Sequence, residues 1–212
     1  MSTFSLKMLA VITMAIDHAG MCLFPQLRWM RLVGRLAFPI YCFLIVEGVH
    51  NTRDEKKYLG RMIAFAIISE IPFDLAISHR MFYPGYQNVF FTLALGLGMV
   101  IALRKYRNDL YLQIISVITA LGMAEALKTD YSWRGILLIL LFYLGRNAEL
   151  VRNVGLMEMF FKVMSISERF ASFALIPISL YNGKKGPGLK YFFYLFYPVH
   201  LLVIYFIWRY MN

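Results

Sequence analysis

The segment from Leu6 to Phe24 reads LKMLAVITMAIDHAGMCLF. A bilayer core takes about 20 predominantly apolar residues of helix to cross, and this run is of that length. A helix on the surface of a soluble domain would return a polar residue every three or four positions. Here the polar groups are instead concentrated at one depth, Asp17-His18, with Cys22 one turn further on. An ionisable side chain in hydrocarbon is costly and turns toward a protein interior or an aqueous cavity. The run therefore predicts a membrane span that presents chemistry inward. No small-residue cleavage site follows it, so it is expected to stay as a span and not to be removed as a leader.

Working outward, the same pattern recurs at residues 36–50, 58–78, 89–103, 110–127, 135–151, 166–181 and 191–210. Short clusters of Arg, Lys, Gly and Pro separate these runs. Of 212 residues 60% are hydrophobic and 16% are charged. A soluble domain carries about a quarter of its residues charged, so this chain lacks the polar surface that water would require. The expected fold is all-α, a polytopic bundle of about 8 transmembrane helices forming a single integral membrane domain over residues 1–212. One stretch reads two ways. Asn147 to Lys162 spaces Glu149, Arg152, Glu158 and Lys162 among apolar residues, as in an interfacial amphipathic helix or in a short ninth span.

The net charge of +10 does not point to nucleic acid, because the basic residues flank apolar runs as anchors beside anionic lipid. With eight spans, an N-terminus inside the cell gathers 13 of the 22 Lys and Arg on the cytoplasmic side, which is the orientation the positive-inside rule favours. Cys22 and Cys42 fall inside apolar runs and imply no disulfide framework. No zinc-ligand spacing, phosphate-binding loop or nucleophile elbow is present, and no metal is expected.

The candidates for chemistry are the polar residues within or beside the spans. Under eight spans, Asp17, His18, Arg35, Glu70, Asp74, Asn88, Asp130, Asn182 and Lys184 share one half of the membrane, and His200 lies in the last span after Tyr197-Pro198. Glu70 and Asp74 share a helix face across Pro72. Arg35 is the expected balance for these carboxylates, either as a clamp between helices or as part of a site. From residue type alone His18 is either a histidine hydrogen-bonded between helices or a general base, its imidazole held by Glu70 or Asp74 from another helix. Asp17 and His18, being adjacent in one helix, cannot pair face to face. At the opposite end, Arg53, Lys56, Lys57, Arg104, Lys105 and Arg107 are either membrane anchors or phosphate contacts.

Several stretches together resemble the TraX family. They are Ile12 to Gly20, Gly34 to Ile40, Glu47-Gly48, Ser69 to Leu75, Asn88 to Leu93, Gly135 to Leu138, Leu180 to Lys184 and Phe193 to His200, in one order along nearly the whole chain. The resemblance implies a membrane acetyltransferase of a prokaryotic inner (plasma) membrane. It would use acetyl-CoA as acyl donor and act on a protein or small-molecule acceptor such as a pilin amino terminus. His18 matches the first-span histidine proposed to be catalytic in related membrane acyltransferases. Phosphates of the donor would then meet some of the basic residues from Arg53 to Arg107. One departure is Ser132, where the pattern has glycine, and Arg134 is a second. A different class, a proton-coupled transporter, would use the same intramembrane Asp, Glu and His groups. The internal repeats common in such proteins are not seen.

Overall fold

A computed structural model describes the backbone of all 212 residues and every side chain except those of Ile166 and Lys190. It is helical throughout, in this order: α1 (Thr3–Cys22), α2 (Arg28–Gly34), α3 (Ala37–Asn51), α4 (Glu55–Ser78), α5 (Val89–Lys105), α6 (Leu110–Ala126), α7 (Ser132–Leu144), α8 (Glu149–Lys162), a 3-10 helix (Ile166–Ala174), α9 (Leu175–Ser179) and α10 (Lys190–Met211). The helix starts follow the local chemistry. Asp54, Asn88 and Asp109 each stand just before a helix, and each side chain accepts an N–H of the first turn that has no partner within the helix. Ser165 and Glu168 form a reciprocal capping box at the head of the 3-10 helix.

At the centre, α3 buries ten of its fifteen residues and packs against α1, α5, α7 and the 3-10 helix. α10 lies between α1 and α4, while α6 packs on α5 and α7. Outward faces are apolar, with Leu110, Tyr111, Ile114 and Ile118 of α6 all exposed. That is the inverse of a water-soluble surface and suits lipid.

Three helical stretches are long and apolar enough to cross a membrane by length and composition: Thr3–Cys22, Arg28–Asn51 and Tyr191–Met211. α4 is as long as the longest of these but carries Lys56, Lys57, Arg61, Glu70 and Asp74. α6 and α7 are apolar but shorter. The contacts nevertheless give each one a direction through the bundle. α8 runs back along α7, with Arg152 against Gly145 and Leu141 beside Gly155. The 3-10 helix and α9 then return along α3. The chain so passes through the bundle nine times: α1, α2–α3, α4, α5, α6, α7, α8, the 3-10–α9 segment, and α10. Residues 147–162 thus lie along the bundle as the ninth-span reading requires, although α8 is not among the helices long and apolar enough to cross a membrane.

This extra pass moves the last loop. Thr3 and Phe4 donate their backbone N–H groups to the Lys184 and Lys185 carbonyls at 2.8 and 3.0 Å, and Asn182 N–H donates to Met1 O at 2.9 Å. Asn182 and Lys184 therefore lie at the amino-terminal end of α1, opposite the Asp17-His18 end, and not in the shared half expected for them. The physical reason is parity: one more crossing reverses everything that follows. Lys162, Arg169 and Arg209 move the other way as Lys184, Lys185 and Lys190 arrive, so the amino-terminal end still gathers 13 of the 22 Lys and Arg.

Candidate functional site

The break between α2 and α3 at Arg35-Leu36 lets α2 fold tightly onto the end of α1. A Cβ on Gly34 would stand 2.2 Å from the Asp17 side chain, and one on Gly20 2.6 Å from Met30 Cβ, so both contacts require glycine. This approach brings Arg31 Nη1 to 2.6 Å from Asp17 Oδ2. The sequence singled out Arg35, but its neighbour one turn earlier makes the ion pair. Arg35 instead donates to the Tyr131 hydroxyl at 3.3 Å, and Tyr131 stacks flat on Phe38 at 3.7 Å between ring centroids.

The loop from Ala126 to Ser132 closes the same end of the bundle. It is held by Gln87, whose N–H donates to Lys128 O at 3.1 Å and whose carbonyl accepts from Asp130 N–H at 2.9 Å. Lys128, Tyr131 and Ser132 all have positive φ, 53°, 63° and 46°. This left-handed region is rare for residues other than glycine and marks stored strain. It explains why a glycine suits position 132; here the serine hydroxyl compensates by donating to the Glu125 carboxylate. Tyr86 donates its hydroxyl to Asp130 Oδ1 at 2.6 Å. Burial pushes the Asp130 carboxyl up to about 6, against the opposing effects of the Tyr86 hydrogen bond and the Arg35 charge.

These elements enclose a polar cavity of about 440 Å³ whose walls include Asp17, His18, Arg31, Arg35, Asp130 and Tyr131. Tyr86, Glu125, Thr129, Ser132, Arg134 and Glu168 also line it. Asp17 Oδ1 and Arg35 Nε are buried there without a hydrogen-bond partner among the described residues, which leaves one acceptor and one donor for a ligand.

His18, in the wall, is buried. Its Nδ1 lies 2.7 Å from Nε2 of His200 on α10, and His200 Nδ1 meets the Phe196 carbonyl at 2.8 Å. The expected orienting acid is thus replaced by a second histidine. Glu70 and Asp74 lie outside the cavity wall and are otherwise engaged. Glu70 accepts from the Asn88 side-chain amide and, at 3.3 Å, from Asn88 N–H. Asp74 accepts from Tyr83 N–H at 2.7 Å. Neither forms an ion pair with Arg35 among the described residues. Their isolation follows from the capping work each one does: Glu70 fixes the start of α5, and Asp74 the loop after α4. The carbonyl that His200 takes is that of Phe196, not that of Tyr194 freed by Pro198.

The basic cluster lies at the far end, where α1 begins. Arg53, Lys56, Lys57, Lys105 and Arg107 are exposed there. Arg104 is already committed to Glu55 at 2.6 Å and to Val49 O at 2.8 Å. A second cavity of about 300 Å³ opens at this end, lined by Glu47, Arg146, Arg152 and Tyr181 among others. Arg146 Nε donates to Glu47 at 2.8 Å there.

The family model described as TraX protein matches residues 2–208. The chain belongs to the TraX family. A protein described as probable fimbrial assembly protein FimC, serogroup H1, from Dichelobacter nodosus is 35% identical, over 96% of this chain and 94% of that protein. An uncharacterised protein, RP591, from Rickettsia prowazekii (strain Madrid E) is 44% identical over 31% of this chain and 25% of its own length. No solved structure matches. In this TraX-family protein the matched region contains every residue of the polar cavity. Arg31, Tyr86 and Glu168 went unnoticed in the sequence. Arg31 had a usable signal, one helical turn before Arg35 on the same face; Tyr86 and Glu168 had none.

Proposed function

We propose that this protein is an integral membrane acetyltransferase that moves an acetyl group from acetyl-CoA to an amine or hydroxyl acceptor, with His18 as general base. The observation that carries the reading is the placement of His18. It lies in the wall of a charged cavity, with its Nδ1 occupied by His200 and its Nε2 making no hydrogen bond among the described residues. Membership of the TraX family and the likeness to a fimbrial assembly protein favour a pilin-type subunit as acceptor and its amino terminus as the group acetylated.

The chemistry balances on this chain's own residues. His18 Nε2 removes the proton of the acceptor N–H or O–H as that atom attacks the thioester carbonyl. The new C–N or C–O bond forms, the C–S bond breaks, and the thiolate takes the proton back from the imidazolium. General-base assistance of this kind is worth roughly 100- to 10,000-fold. Asp17, Arg31 and Arg35 would set the field around the developing oxyanion. Asp130 and Tyr86 would meet the acceptor. The exposed basic residues Arg53, Lys56, Lys57, Lys105 and Arg107 would receive the donor's phosphates from the cytoplasm, the orientation that the positive charge at this end favours. The donor's acyl end would then reach His18 through the bundle.

Protein reconstituted in nanodiscs, given acetyl-CoA and a peptide with a free amino terminus, should yield acetylated peptide detectable by mass. Proton-driven solute uptake into vesicles with no acyl donor present, and no acetylated product, would instead assign the polar groups to transport.

A further inference from the structure

The two histidines are joined in a directed chain. A carbonyl oxygen only accepts, so the 2.8 Å contact to Phe196 O requires His200 Nδ1 to carry a proton. In the uncharged ring, His200 Nε2 is then the lone-pair nitrogen. It lies 2.7 Å from His18 Nδ1, which must therefore donate, and the His18 lone pair is left on Nε2. Rotation of the His200 ring would break both bonds, and its neighbours oppose it. His18 lies edge to edge with it in nearly the same plane, centroids 5.0 Å apart with an interplanar angle of 19°, as the 2.7 Å contact between their nitrogens requires, and Phe196 packs parallel to it at 4.8 Å and 15°. Tyr197 packs edge-on against both histidines.

We infer that His200 is a positioning residue: through the chain from Phe196 O it fixes His18 in the single tautomer whose Nε2 lone pair serves the cavity. His200 does not exchange protons with the acceptor, because both of its nitrogens are engaged away from the cavity. This rests on His18 acting as a base toward a cavity ligand, and is independent of whether that ligand is an acetyl acceptor. An acceptor behind the distal imidazole nitrogen sets both tautomer and basicity.

Diethyl pyrocarbonate tests this directly, because it acylates only a nitrogen with an available lone pair. That lone pair attacks a carbonyl carbon, the anhydride C–O bond breaks, and ethyl carbonate leaves with the imidazole proton to give ethanol and carbon dioxide. In the purified full-length protein, mass mapping should find His18 modified and His200 unmodified. His200→Gln retains an acceptor oxygen and should keep the His18 labelling rate within about twofold. His200→Phe keeps the ring but no acceptor, and should slow it by roughly tenfold or more. Modification of His200 as fast as His18 in the wild type would overturn the chain without any variant. So would a His18 labelling rate in His200→Phe equal to wild type. A wild type with this labelling pattern but no acyl transfer would sink the acetyltransferase reading and leave the role of His200 standing.

Discussion

Asn88 offers both its backbone N–H and its side-chain amide to the same carboxylate oxygen of Glu70, so helix α5 begins on an acid supplied by α4. Its amide also donates to Ala66 O at 2.8 Å, while its Oδ1 accepts from Phe90 N–H at 3.0 Å. One buried side chain thus caps a helix and satisfies a neighbour. Asn88→Ala removes the cap, worth about 1 kcal/mol, and takes the side-chain donor from the Glu70 carboxylate while leaving the backbone N–H in place, for about a further 1 kcal/mol. Thermal unfolding in detergent should show a clear loss of stability. An unchanged midpoint would mean that water replaces the amide there.

Gly34 and Asp17 make a second test, this time of packing. A methyl group at position 34 would collide with the Asp17 side chain and push α2 off α1. Gly34→Ala should destabilise by about 1–3 kcal/mol and weaken the Asp17–Arg31 pair. Measured melting temperatures should fall further for this change than for Gly98→Ala, where an added Cβ meets nothing within 4 Å.

Asp130 gives a pH signature. Its carboxyl is raised from 3.8 to about 6 in the folded protein, so between those values the folded state binds more protons than the unfolded one. Stability contributed by this group must then fall as pH rises from about 4 to 6. Asp130→Asn removes that slope. Melting temperatures of wild type and variant, followed over this range, should diverge as pH increases, with the wild type dropping relative to the variant. Parallel curves would contradict the assignment.

Much of the fold was legible because the bilayer imposes long apolar runs, and because short clusters of Arg, Lys, Gly and Pro separate them. His18 was legible for the same reason: an imidazole inside an apolar helix stands out. What stayed hidden depended on which helices touch. His18 and His200 are 182 residues apart, and spacing along a chain says nothing of pairing between its first and last helices. Glu70 and Asp74 looked like partners for His18 by type, but local capping claimed them. The side on which Asn182 and Lys184 emerge turned on whether 147–162 crosses, and a half-polar helix of that length satisfies either reading by composition. Arg35 stood out in the sequence as a balance for Glu70 and Asp74, and only the close approach at Gly34 brings a different guanidinium, Arg31, to Asp17.

If His18 is the base of an acyl transfer, thioester cleavage by purified protein depends on it. Wild type and His18→Ala, both shown folded by their melting curves, would be incubated with acetyl-CoA and an amine acceptor, and free thiol followed over time. Acceptor-dependent thiol release is expected from wild type, with a loss of roughly 100-fold or more in the variant. Equal rates in the two proteins would contradict it.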